Sequence, residues 1–140
     1  MKNDSQGREN FSGSALMEID KNTVLKIVSD ILTPVQLKGS LIFWYKKVRG
    51  EGETIRTGLQ AVAMPFKGTM VFVDLAPRSN WAHPCLYIFI DGITHDTQVI
   101  RASFPPSIDA TDENYIIILR YGKAPPHERY FSPFDLEKQI

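Results

Sequence analysis

His83 and Cys85 stand two residues apart in the stretch NWAHPCLYIFIDG, residues 80 to 92, which carries the only cysteine of the chain. In an extended segment, residues two apart face the same way, so an imidazole beside this thiol would favour the nucleophilic thiolate. Against that chemistry, Cys85 opens an apolar run, LYIFI, and cysteine is among the most buried residue types. The sequence therefore places Cys85 in a core strand ahead of a reactive site, and no catalytic set is assigned. A thiol-dependent enzyme, with Cys85 as nucleophile and His83 as base, is the alternative. It lacks an oxyanion hole and an orienting residue that the sequence could name.

Metal chemistry fares similarly. A structural zinc site takes four ligands, usually in two closely spaced pairs. His83, Cys85, His95 and His127, with Asp91 and Asp96, supply one such pair. No metal and no cofactor is expected. Nor does a glycine-rich loop open a helix in the manner of a nucleotide-binding motif.

Two stretches carry recognition chemistry of other kinds. LIFWYKKVR, residues 41 to 49, interleaves Trp44 and Tyr45 with Lys46, Lys47 and Arg49, and its 43 to 49 portion offers stacking surfaces beside cations for a single-stranded nucleic acid. With Lys plus Arg and Asp plus Glu equal at 16 each, no global field draws the chain to nucleic acid or to an anionic membrane, so nucleic acid is a further alternative only. APRSNWAHP, residues 76 to 84, places Arg78, Asn80, Trp81 and His83 on a connection between two apolar strands. A large aromatic flanked by hydrogen-bonding groups on a loop held by rigid strands suits a recognition surface. The function expected is a soluble, non-enzymatic protein-binding or adaptor module that contacts a protein partner through the loop around Trp81. KAPPHERYFSP, residues 123 to 133, is a second extended candidate that more simply serves as a stiff connector.

The elements that position these residues follow from periodicity. Residues 1 to 14 are polar and without apolar spacing, which predicts a flexible tail ahead of one globular domain over 15 to 140. Val24, Leu25, Ile27, Val28, Ile31 and Leu32 recur at helical spacing, with Asp20 or Asn22 as cap and Pro34 as the stop. Beyond Pro34 the spacing predicts strands near 37 to 48, 54 to 64, 69 to 75, 85 to 91, 94 to 103 and 115 to 121. A loop at 49 to 54 joins the first two as a hairpin, and a type I′ turn at Asp91-Gly92 joins the fourth to the fifth.

MVFVDL, CLYIFI and YIIIL are apolar on both alternating faces, which predicts three central strands. An even loop length at Asp91-Gly92 sets Cys85 on the face of Asp96 and Gln98, with His95 opposite. Ser132, Pro133 and Asp135 open a short closing helix. The fold class expected is α+β or mainly β, an antiparallel sheet or small sandwich of about six strands with an N-terminal amphipathic helix and a short C-terminal helix.

A single cysteine cannot close an internal disulfide, and the polar opening lacks the apolar stretch of a secretory signal, so the chain reads as cytoplasmic. Apolar runs such as YIIIL fall well short of the roughly 20 residues that span a bilayer, and no membrane association is expected. An exposed edge strand would leave a homo-oligomer open.

Overall fold

The computed structural model describes residues 19–57, 60–79, 82–107 and 112–125. The expected tail, Asn80, Trp81, His127 and the closing helix from Ser132 lie outside the described residues. Among the described residues nine elements follow in order: α1 (Lys21–Ile31), α2 (Pro34–Gly39), β1 (Leu41–Arg49), β2 (Thr54–Thr57), β3 (Gln60–Ala63), β4 (Gly68–Asp74), β5 (Cys85–Asp91), β6 (Thr97–Ala102) and β7 (Tyr115–Arg120). They build a five-stranded antiparallel sheet in the order β6-β5-β4-β1-β7 and a separate two-stranded sheet, β2-β3.

Helix α1 starts where its sequence says it should. The Asp20 carboxylate accepts from the Thr23 N–H at 2.8 Å and satisfies one of the donors that a helix start leaves open. Its buried stripe, Val24 and Val28 with Leu32 beyond the end, packs on Ile42, Trp44, Val71, Val73, Leu86, Ile88, Ile90, Ile116 and Ile118. The opposite face of the same sheet presents Leu41, Phe43, Tyr45, Met70, Phe72, Cys85, Tyr87, Phe89, Tyr115 and Ile117, and Ile55, Val62, Met64 and Phe66 from the β2-β3 region cover it. Successive residues of β1, β4 and β5 thus alternate between two apolar clusters. That is why β4, β5 and the first five residues of β1 are buried almost without a break.

Four expectations about the helices and strands need correction. The chain from Pro34 does not run directly into a strand: Thr33 and Gln36 form a capping box, at 3.1 and 2.9 Å, with Pro34 in the first turn of α2. Pro34 therefore stops one helix and opens the next, and the strand begins at Leu41. Residues 54 to 64 are not one strand but two, with Thr57 opposite Gln60, and Gly58, a residue that weakens strands, lies between them in the sequence.

The loop at 49 to 54 does not join a hairpin either, because β1 pairs with β4 and β7 while β2 pairs with β3. Lastly, β7 stands at the edge of the described sheet and β1 takes an interior place between β4 and β7. Apolar residues on both faces report that both faces are covered, which an edge strand satisfies as well as a central one.

The β5-β6 connection keeps the predicted register but not the predicted turn. Asp91 N–H bonds the Asp96 carbonyl at 2.8 Å, and His95 N–H bonds the Asp91 carbonyl at 2.9 Å, so residues 92 to 95 form the loop. Left-handed backbone falls on His95, at φ 64°, rather than on Asp91 and Gly92. Asp91 instead uses its carboxylate to accept from the N–H groups of Ile93 and Thr94, at 2.8 and 3.1 Å. The even length leaves Gln98 opposite Phe89 and so on the Cys85 side of the sheet, as expected.

Candidate functional site

Register aligns Ala102, Cys85, Asp74, Leu41 and Arg120 as one row across the five strands. The connection from β4 to β5 leaves the sheet at this row, and so do the ends of β6 and β7. Chemistry-bearing side chains therefore converge on one end of the sheet.

Asp74 organises that end. Its side chain is 3% exposed, and one oxygen, Oδ1, receives both the His83 ring nitrogen Nε2 at 2.7 Å and the Ala76 N–H at 3.1 Å. The carboxylate thereby holds the first and the last part of the 75 to 84 connection to a single point. Burial pushes the Asp74 carboxyl above the usual carboxylate range, and the adjoining His83 ring and Ala76 N–H pull it partway back. His83 is held a second time, its backbone N–H donating to the Ser103 carbonyl at 3.1 Å. An open depression of about 490 Å³ adjoins it, lined by Ala82, His83, Pro84, Arg101, Ala102 and Ser103.

Cys85 lies directly opposite Asp74 and is 1% exposed. Its thiol donates to the Phe104 carbonyl at 3.3 Å, an oxygen that the Tyr87 hydroxyl also reaches at 2.8 Å. Burial first, then the Asp74 carboxylate beside it, pushes the thiol up to about 12. A reactive cysteine needs an electropositive and partly open setting. Cys85 has a negative neighbour and almost no exposure, and the His83 Nε2 is directed at Asp74. The geometry supports a packed core thiol over a nucleophile.

Trp44 and Tyr45, 6% and 7% exposed, are core residues on opposite faces of β1, so neither offers a face on which a base could stack. Arg49 is likewise engaged: its guanidinium lies 4.0 Å from the Tyr45 ring centre and 3.0 Å from Glu53, with the Tyr115 hydroxyl at 3.4 Å. Tyr45 and Tyr115 meet edge to face at 4.5 Å. This Tyr45-Arg49-Tyr115 cluster sits at the opposite end of the sheet and knits β1 to β7. Among the described residues no group of three or more His, Cys, Asp or Glu side chains could hold a metal ion. None of the described helices is long and apolar enough to cross a membrane.

Of the residues the sequence singled out for binding, His83 and Arg78 are described, and both belong to the end of the sheet that Asp74 organises. Arg78 is exposed and its guanidinium carbon lies 5.8 Å from the centre of the Tyr121 ring. The connection thus reaches toward β7 through Arg78 and toward β6 through His83. Asn80 and Trp81 lie outside the described residues. What sequence reasoning missed is Asp74, which reads there only as the one polar residue of MVFVDL. A carboxylate ending an otherwise apolar strand, nine residues before a histidine, was the available signal. In comparisons with known proteins, no family model, no curated protein and no solved structure matches the chain.

Proposed function

We propose that the protein is a non-enzymatic binding module, with the 76 to 84 connection as the contact surface for a protein partner and Arg78, Asn80, Trp81 and His83 as its recognition residues. The observation that carries this reading is the double use of the Asp74 oxygen by Ala76 and His83. A connection tied to a sheet at both of its ends loses less conformational entropy on binding than a free loop does. Arg78 and Trp81 belong to the residue types that dominate binding energy at protein interfaces. The buried thiol and the core positions of Trp44 and Tyr45 remove support from the thiol-enzyme and nucleic-acid alternatives.

Partner capture from the native source tests the reading when wild type is compared with Trp81→Ala. Loss of capture with an unchanged unfolding midpoint supports it. Retained capture contradicts it, and a collapse of stability reassigns Trp81 to the core.

A further inference from the structure

The chain leaves β7 through a tight turn that concentrates positive charge. Arg120 N–H donates to the Lys123 carbonyl at 2.8 Å and Lys123 N–H returns to the Arg120 carbonyl at 3.1 Å. Tyr121 and Gly122 between them both take left-handed backbone, at φ 53° and 83°, the signature of a type I′ turn. Glycine accepts that conformation freely, whereas a tyrosine at such a position is rare. The turn is held against the body of the protein, Tyr121 N–H donating to the Ser40 carbonyl at 2.9 Å.

Residues that exchange both backbone bonds lie directly opposite one another with side chains on the same face. Arg120 and Lys123 are therefore a like-charge pair across the turn, an arrangement that opposes folding when it stands alone. Arg78 brings a third cation to the Tyr121 ring, and the Lys38 stem adjoins Gly122. Among the described residues no carboxylate forms an ion pair with any of them. The Tyr121 hydroxyl is itself buried and has no hydrogen-bond partner there. Arg120, Tyr121 and Lys123, with Ala124 and Pro125, line an open depression of about 490 Å³.

Among the described residues these clustered cations have no counter-ion, and an oxyanion would supply one. We propose that this depression binds a small-molecule phosphate monoester, with Arg120 and Lys123 gripping the phosphate oxygens and Arg78 adding charge from the 76 to 84 connection. A phosphate monoester carries close to two negative charges at neutral pH and three acceptor oxygens, which suits several convergent donors better than a singly charged carboxylate does. The depression is larger than a phosphate group and leaves room for the organic remainder of an ester. This site does not depend on the protein-partner reading.

The test titrates the full chain with inorganic phosphate and with glycerol 3-phosphate, at ionic strength matched with chloride, reading Tm and calorimetric Kd. Both ligands are expected to raise the Tm of wild type, the ester binding several-fold more tightly. Arg120→Gln with Lys123→Gln should abolish the shift, and Arg78→Gln should weaken Kd several-fold. Should the double variant fail to fold, Lys123→Gln alone, at an exposed position, serves in its place with a weakened Kd expected. The proposal is overturned by the absence of a shift, by a shift that chloride reproduces, or by one that the charge variants retain. Equal affinity for the two ligands would overturn the assignment to an ester and leave a free-phosphate site.

Discussion

The His83 ring nitrogen lies 2.7 Å from the Asp74 carboxylate, so a buried acid at the end of β4 holds the residue that leads into β5. The two strands are neighbours in the sheet, yet the connection between them runs over residues 75 to 84, far longer than a hairpin needs. The Asp74 contact joins the start of that length to its end, beside the His83 N–H bond to Ser103. Removal of the side chain should be costly, because it strips an acceptor from His83 and from the Ala76 N–H together. Asp74→Ala is expected to lower stability by about 1–3 kcal/mol in urea unfolding, and Asp74→Asn, which keeps an acceptor oxygen, by less.

The same carboxylate gives a pH signature of defined sign. Its pKa is raised in the folded state, so its contribution to stability is fully present below the pKa of an unfolded aspartate and is lost as pH rises through the raised folded value. Asp74→Asn does not titrate. Its stability relative to wild type should therefore climb as pH increases from about 4, the ordinary aspartate value. Unfolding free energies of the two proteins across that window check this, and a difference that stays flat or falls would contradict it.

Cys85 should behave as core. With its thiol pushed up to about 12 and shielded by the sheet, labelling by a thiol reagent at neutral pH should wait for unfolding. The labelling rate is expected to rise with denaturant along the unfolding transition. Rapid modification of the native protein would restore the thiol-enzyme alternative.

The division of legibility follows from what each signal reports. Alternating burial is a local property, so the apolar runs at Val71–Val73, Leu86–Ile90 and Ile116–Ile118 are recognisable as strands covered on both faces. Neighbour relations are not local: nothing in YIIIL says that β7 ends the described sheet, and nothing in LIFWYKKVR says that β1 lies between β4 and β7. Pro34 shows a different failure, since one residue type serves both to stop a helix and to start one, and Thr33 with Gln36 decides which. At the candidate site, Arg78 and His83 stand out by type and loop position. Asp74 does not, because its role arises from a partner nine residues away that only the return of the chain into β5 brings close.

Gly68 offers a sharp test of the sheet. It pairs with Arg49 on one side and Asp91 on the other, and a Cβ there would run into the Ile90 carbonyl, a backbone atom that cannot step aside. Gly68→Ala is expected to cost more than about 3 kcal/mol, beyond the usual range for overpacking, because the obstacle is main chain. Gly50→Ala meets nothing within 4 Å and should change stability by no more than about 0.5 kcal/mol. Similar stability for the two variants would contradict the register of β4 and β5.

If the connection pinned by Asp74 is the partner surface we propose, site-specific photocrosslinking in the native cell will place the partner there. A photoreactive residue is placed at Ser79 or Ala82, both exposed on that connection, and in control proteins at Lys47 or Glu51, exposed toward the other end of the sheet. A common partner adduct is expected from positions 79 and 82, none from 47 or 51, and loss of the adduct when Trp81→Ala is added. An adduct formed equally well from the control positions, one that survives Trp81→Ala, or none at all from 79 and 82 would contradict it.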